Sequence, residues 1–129
     1  MGKTTRRTEV TMIDYTDPDE YVDFVALQKV SDRIKEHLGA KTVASLLSVD
    51  VRFYKIMATD AYAYSGSQRA RIGQIDAIIL ESEKVMTADE LRAWLYTPEP
   101  LLNDEKPLDV FKHEGPERVA QALREYARE

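Results

Sequence analysis

The segment Met86–Asp109, MTADELRAWLYTPEPLLNDEKPLD, is so densely punctuated that it leaves a chain of this length few ways to fold. Thr87 and Glu90 stand at capping-box spacing, a hydroxyl for one orphan N–H and a carboxylate reaching back for another. Behind them Leu91, Trp94 and Leu95 fall on one helical face, which carries the only tryptophan of the chain. Pro98 and Pro100 stop that helix, because the residue before a proline is driven out of the α region. Leu101 and Leu102 make an apolar step. The polar turn Asn103-Asp104-Glu105 follows, and Pro107 suits the first position of another short helix. The segment holds no acid/base or ligand chemistry. It is a small helical unit with an apolar wedge.

The same helical spacing recurs along the chain and points to an all-α fold. Residues 1–17 are polar and without sustained period, and read as an N-terminal arm. Within it Glu9–Tyr15 forms a short strand or lies on the surface. Asp17-Pro18 reads as a cap followed by a first helical residue, opening a helix that carries Leu27, Val30, Ile34 and Leu38 on one face. A break is allowed between Val22 and Ala26, and Gly39 ends the helix. His37 lies in its last turn, where a cation suits the helix dipole.

Lys41–Val49 and Asp50–Met57 follow as a helix-turn-helix pair of the Xre/Cro kind. Ala44 provides the small residue where two such helices touch, and Val43, Leu47, Val49, Tyr54 and Met57 supply the apolar offsets. Ser48 replaces the usual turn glycine, and Asp50 can cap the second helix. In this register Val51, Arg52, Lys55 and Ile56 face a DNA groove. Only two of them are cationic, so two readings stay open: a DNA reader, and a scaffold with little affinity for DNA.

Ala58–Ser67 is a loop with Tyr62 and Tyr64, which fill a gap between helices or, with Arg69 and Arg71, stack on bases. From Ser67 a long helix runs to about Met86 with Ile72, Ile75, Ile79 and Met86 buried. Ile78 and Leu80 make it more apolar than one core face requires, as deep burial or a covering partner would demand. Beyond the tryptophan unit, Pro107–His113 forms a short helix and Gly115-Pro116 a break. A last helix turns Val119, Ala120, Leu123 and Tyr126 inward. The organisation expected is an arm over 1–17, a helix-turn-helix domain over 18–66, and a linking helix with a C-terminal domain over 67–129.

Composition removes several function classes. The 129 residues contain no cysteine, which excludes disulfides and thiolate metal sites. No apolar run reaches the roughly 20 residues of a membrane span, and the first residues lack a secretory pattern, so a cytoplasmic protein is expected. The five glycines are isolated, so there is no phosphate-binding loop, and His37 and His113 have no partners that suggest a metal site. No catalytic residue, cofactor or metal is assigned, and the chain is not expected to be an enzyme. Net charge is −5 but unevenly spread: residues 25–72 hold eight basic against four acidic side chains, and residues 73–129 seven against thirteen. A basic middle beside an acidic C-terminal half suits an anionic partner and a different, cationic one.

The order Trp94-Leu95-x-Thr97-Pro98-x-x-x-Leu102, followed by Lys106-Pro107-Leu108-Asp109, resembles the toxin-binding domain of the MbcA/ParS/Xre antitoxin family. Glu99 stands where that family commonly has asparagine. The resemblance implies an antitoxin of a type II toxin–antitoxin pair whose partner is a RES-domain, NAD-consuming toxin. It also implies repression of its own operon by operator DNA binding, and a homodimer to which the linking helix contributes. Toxin contact would then fall on Trp94, Leu95, Pro98, Leu101 and Leu102, although Trp94 could equally be plain core. Family members commonly carry a glycine-containing tail beyond the last helix. This chain stops at Glu129, so Arg124 or Arg128 on that helix would pair with acidic toxin groups instead. The alternative is a stand-alone helix-turn-helix regulator with no toxin partner.

Overall fold

Side-chain caps start most of the helices. The computed structural model describes residues 23–128. The arm over 1–17, its Glu9–Tyr15 segment and the expected start at Asp17-Pro18 lie outside the described residues. The first described helix, α1 (Phe24–Leu38), begins behind Asp23, whose carboxylate accepts from the Ala26 N–H at 3.0 Å. Asp23 itself is extended (φ −84°, ψ 94°), so no unbroken helix runs from Pro18 to Leu38; the allowed break is where the helix starts. An aspartate that bonds the next turn's N–H competes with continuing the helix through it.

Gly39 ends α1 with φ 86°, and α2 (Ala40–Leu47) follows at once. Ser48 then takes the left-handed conformation (φ 59°, ψ 42°), and the Val49 N–H donates back to the Ala44 carbonyl at 3.0 Å. Glycine is the usual occupant of such a corner, and an L-residue there costs about 1–2 kcal/mol. Asp50 accepts from the Arg52 N–H at 2.8 Å and opens α3 (Val51–Met57). The loop beyond holds a 3-10 turn over Ala61–Ala63. Gln28 of α1 clamps it, donating to the Ala58 carbonyl at 2.8 Å and accepting from the Ala61 N–H at 2.7 Å.

A capping box of Ser65 and Gln68 opens α4 (Gly66–Ser82). This helix stops at Ser82 and does not reach Met86. The Val85 and Met86 N–H groups both turn back to the Ser82 carbonyl at 2.9 Å, leaving Met86 only partly buried. The Thr87–Glu90 box opens α5 (Ala88–Leu95). A 3-10 turn over Pro100–Leu102 leads to α6 (Pro107–Glu114), which Gly115 ends at φ 91°, and α7 (Glu117–Arg128) closes the described chain. Among the described residues the fold is therefore all-α, seven α-helices with a single isolated β-bridge between Glu99 and Glu105. No described helix is long and apolar enough to cross a membrane.

Helix α1 packs along α4, with α2 and α5 against α1 and α7 against α4. Leu27, Ile34, Tyr54, Ile72, Ile75, Leu91, Phe111 and Val119 belong to one continuous apolar cluster, so both halves of the chain line the same core. Leu80 alone of Ile78-Ile79-Leu80 is exposed. On α7 the inward residues are Val119, Ala122 and Leu123. Ala120 is half-buried and Tyr126 exposed, because the turn of α7 that bears Tyr126 runs past the end of the core.

Polar links join elements distant in sequence. Arg92 donates to the His37 carbonyl at 2.7 Å, satisfying a C-terminal carbonyl of α1. Arg71 does the same for Phe111 of α6 at 2.8 Å, its guanidinium 5.0 Å above the Phe111 ring. Arg33 forks onto Asp76 between α1 and α4. Inside the core, the Ser31 and Tyr64 hydroxyls meet at 2.7 Å, with Tyr54 buried beside them.

Burial raises the phenol pKa of both Tyr54 and Tyr64 above the ordinary 10.0. The neutral phenols are favoured in the folded state, so their contribution is complete below pH 10 and is lost as pH rises beyond it. Denaturant midpoints are therefore expected to hold up to about pH 10 and to fall as pH rises above it. Phenolate absorbance from these two residues should appear only with loss of helical circular dichroism. Tyr54→Phe should make the decline shallower.

Candidate functional site

Two surfaces carry the residues singled out by sequence, one around Trp94 and one on α3. In the first, Trp94, Leu95 and Leu102 lie in the core, while Pro98 and Leu101 are at the surface. The five positions thus divide into support and display: three hold the step from behind, and two present it. Leu101 is 44% exposed and borders a groove of about 250 Å³ with Arg118, Gln121 and Glu125.

Glu99 organises this step. Its side chain is buried at 7% exposure. One carboxylate oxygen accepts from the Trp94 indole N–H at 2.7 Å and the other from the Leu101 N–H at 2.9 Å. Its backbone is engaged as well. The Glu99 N–H donates to the Glu105 carbonyl at 3.0 Å, and the Glu99 carbonyl receives Leu102 at 2.8 Å and Asp104 at 2.9 Å. Asn103 and Asp104 both adopt positive φ (57° and 63°) to make the return, a conformation short polar side chains tolerate. The loop that carries Leu101 is consequently tied at both ends and through its middle.

On α3 the outward face consists of Arg52, Phe53, Lys55 and Ile56. Val51, one of the four residues assigned to the groove face by sequence, is half-buried against the core instead, and Phe53 is exposed. The apolar side of a helix that follows a tight turn is rotated by how the turn delivers it, and Val51 sits directly after the Asp50 cap. Arg52 lies 3.6 Å from the Asp50 carboxylate, with both side chains largely in solvent, where such a pair is worth little.

The two α7 arginines singled out by sequence are exposed and each has a partner within the chain, Arg124 with Glu81 at 3.7 Å and Arg128 with Glu125 at 2.9 Å. Of the two loop tyrosines, Tyr64 fills a gap in the core. Tyr62 stacks on Phe24 at 4.0 Å in the open, with Arg69 5.9 Å from the Phe24 ring. Among the described residues no cluster of three or more His, Asp or Glu side chains is placed to hold a metal.

Sequence reasoning missed Glu99 as the organiser and Phe53 as a surface residue. Five positions from Trp94, a carboxylate could have been tested as an indole partner; nothing in the α3 pattern marked Phe53 as outward. No family model, curated protein or solved structure significantly matches the chain.

Both partners of the Glu99 carboxylate are donors, so an acceptor-only group is required there. Glu99→Gln should satisfy one donor and set its own NH₂ against the other, destabilising the fold by about 1–3 kcal/mol. Glu99→Ala should do at least as much and shift Trp94 emission in the native state. A denaturant series followed by tryptophan fluorescence reads both effects, and unchanged midpoints would remove Glu99 from this role.

Proposed function

We propose that this protein is the antitoxin of a type II toxin–antitoxin pair, binding and neutralising a RES-domain toxin that consumes NAD. The reading starts from the Trp94–Leu102 and Lys106–Asp109 resemblance. The observation that carries it further is the rigid display of Pro98 and Leu101 on a step tied down by Glu99. A preorganised apolar projection loses little entropy on docking, which is how a small contact contributes usefully to affinity. Trp94, Leu95 and Leu102 serve by holding that projection; Arg124 and Arg128 lie exposed on α7 and can exchange their in-chain partners for acidic groups of the toxin. Neutralisation proceeds by covering the toxin rather than by chemistry on this chain. Association as a homodimer, with exposed Leu80 of α4 at the contact, belongs to the same reading.

In this proposal α2 and α3 act as a helix-turn-helix on operator DNA, so that the antitoxin represses its own operon. A stand-alone regulator without a toxin is the second reading, and the exposure of Arg52 and Lys55 on α3 favours it as much as it favours autorepression. Salt separates phosphate contact from other binding, because each neutralised phosphate steepens the fall of affinity with ionic strength.

Co-expression with the product of the neighbouring reading frame tests the main proposal. The expected result is a stable complex and restored growth when that product is toxic alone. Leu101→Glu should weaken capture at least tenfold with helical content unchanged, since Leu101 is at the surface. A neighbour that neither poisons cells nor co-purifies would leave the regulator reading.

A further inference from the structure

We infer that α3 reads thymine, through contact of Phe53 and Ile56 with the C5-methyl groups that line a DNA major groove. The inference rests on the DNA-binding half of the function proposed above. At 100° per residue the four outward side chains succeed one another around α3 in the order Lys55, Arg52, Ile56, Phe53. Both cations therefore occupy one edge of the face and both large apolar side chains the other. Phe53 is 58% exposed and Ile56 68%, and nothing in the described chain covers them. The two are neighbours on the seven-residue helix and form a small apolar patch beside the cations.

The charge pattern selects the partner. The chain as a whole is at −5, yet residues 25–72 have an excess of four positive charges, and Arg52 and Lys55 stand fully out from α3 within that basic stretch. A polyanion fits the cationic edge. Helix α3 is about 10 Å long and, with side chains, as wide as the major groove it would enter. The face lacks the Asn and Gln that pair with adenine, and for guanine it offers Arg52 and Lys55, which lie on the edge away from Phe53 and Ile56. Thymine's methyl is the one apolar group a base pair shows in that groove, so it is the only base-edge feature that Phe53 and Ile56 can match. The cationic edge then follows phosphates and sets the register, while the apolar edge discriminates.

Duplexes selected from a randomised pool by the full-length protein provide the probe, prepared once with thymine and once with uracil, which lacks only the methyl. Selected sites should be thymine-rich at fixed positions. Replacing thymine by uracil should weaken binding about three- to fivefold per contacted methyl, the worth of one buried carbon. Phe53→Ala and Ile56→Ala should each erase part of that difference. Arg52→Ala should weaken both duplexes alike and lower the salt dependence. Equal binding of thymine and uracil duplexes overturns the methyl readout while leaving DNA binding in place. Failure to select any duplex overturns the DNA reading along with it. A self-associated species that dissociates in Phe53→Ala would assign the apolar edge to a second copy of the chain and overturn the inference as well.

Discussion

The apolar seam between α1 and α4 holds every other element in place. Leu27, Ile34 and Leu38 on one side and Ile72, Ile75 and Ile79 on the other are all buried. Full burial of side chains of this size stabilises by about 1.5–3 kcal/mol each. The helices come from different thirds of the chain, so this contact closes a long loop in which α2, α3 and the 3-10 turn are carried. The Arg33–Asp76 fork at its edge orients the pair without contributing much, since the arginine is half in solvent. Elements that display residues outward do so from this base: α3 hangs on α2 and the turn, and the Leu101 step packs on α7 and is tied to α5 through the Glu99–Trp94 hydrogen bond.

Polar atoms settle the angles that apolar packing leaves loose. Hydrophobic burial is non-directional, whereas Arg71 and Arg92 each reach a single carbonyl at the C-terminal end of a helix remote in sequence. Gln28 uses both ends of its amide to hold the 3-10 turn against α1. Glu99 joins an indole, a backbone N–H and a reversing loop within one buried carboxylate. These side chains fix where surface residues point. Their loss would change the display of Leu101 or α3 before it emptied the core.

The division between the two proposed contact surfaces follows from the same economy. Trp94, Leu95 and Leu102 are large apolar residues adjacent to a proline-bounded loop, a pattern equally suited to a docking patch and to a core. Solvent-facing area near Trp94 is instead limited to Tyr96, Pro98, Leu101 and their neighbours, because Glu99 draws the indole edge inward. On α3 the reverse occurs. Tyr54 and Met57 satisfy the core, and with Val51 half-buried beside them, Phe53 and Ile56 have no inward place left.

Local chemistry alone determined much of this molecule. Thr87 with Glu90, Asp50, Gly39, Gly115 and the prolines mark helix ends through bonds and torsions that span no more than a few residues, so they are legible without a fold. The 3.6-residue period of apolar positions likewise made the described residues all-α. What tertiary structure decided is which apolar residues the core could accommodate and which polar ones it would enclose. Tyr126 runs beyond the core, and Phe53 faces water because Tyr54 and Met57 already take the inward side of α3. Glu99 is buried because the loop returns two donors to it. Such outcomes depend on space shared between segments distant in sequence, and no pattern within one segment contains that information.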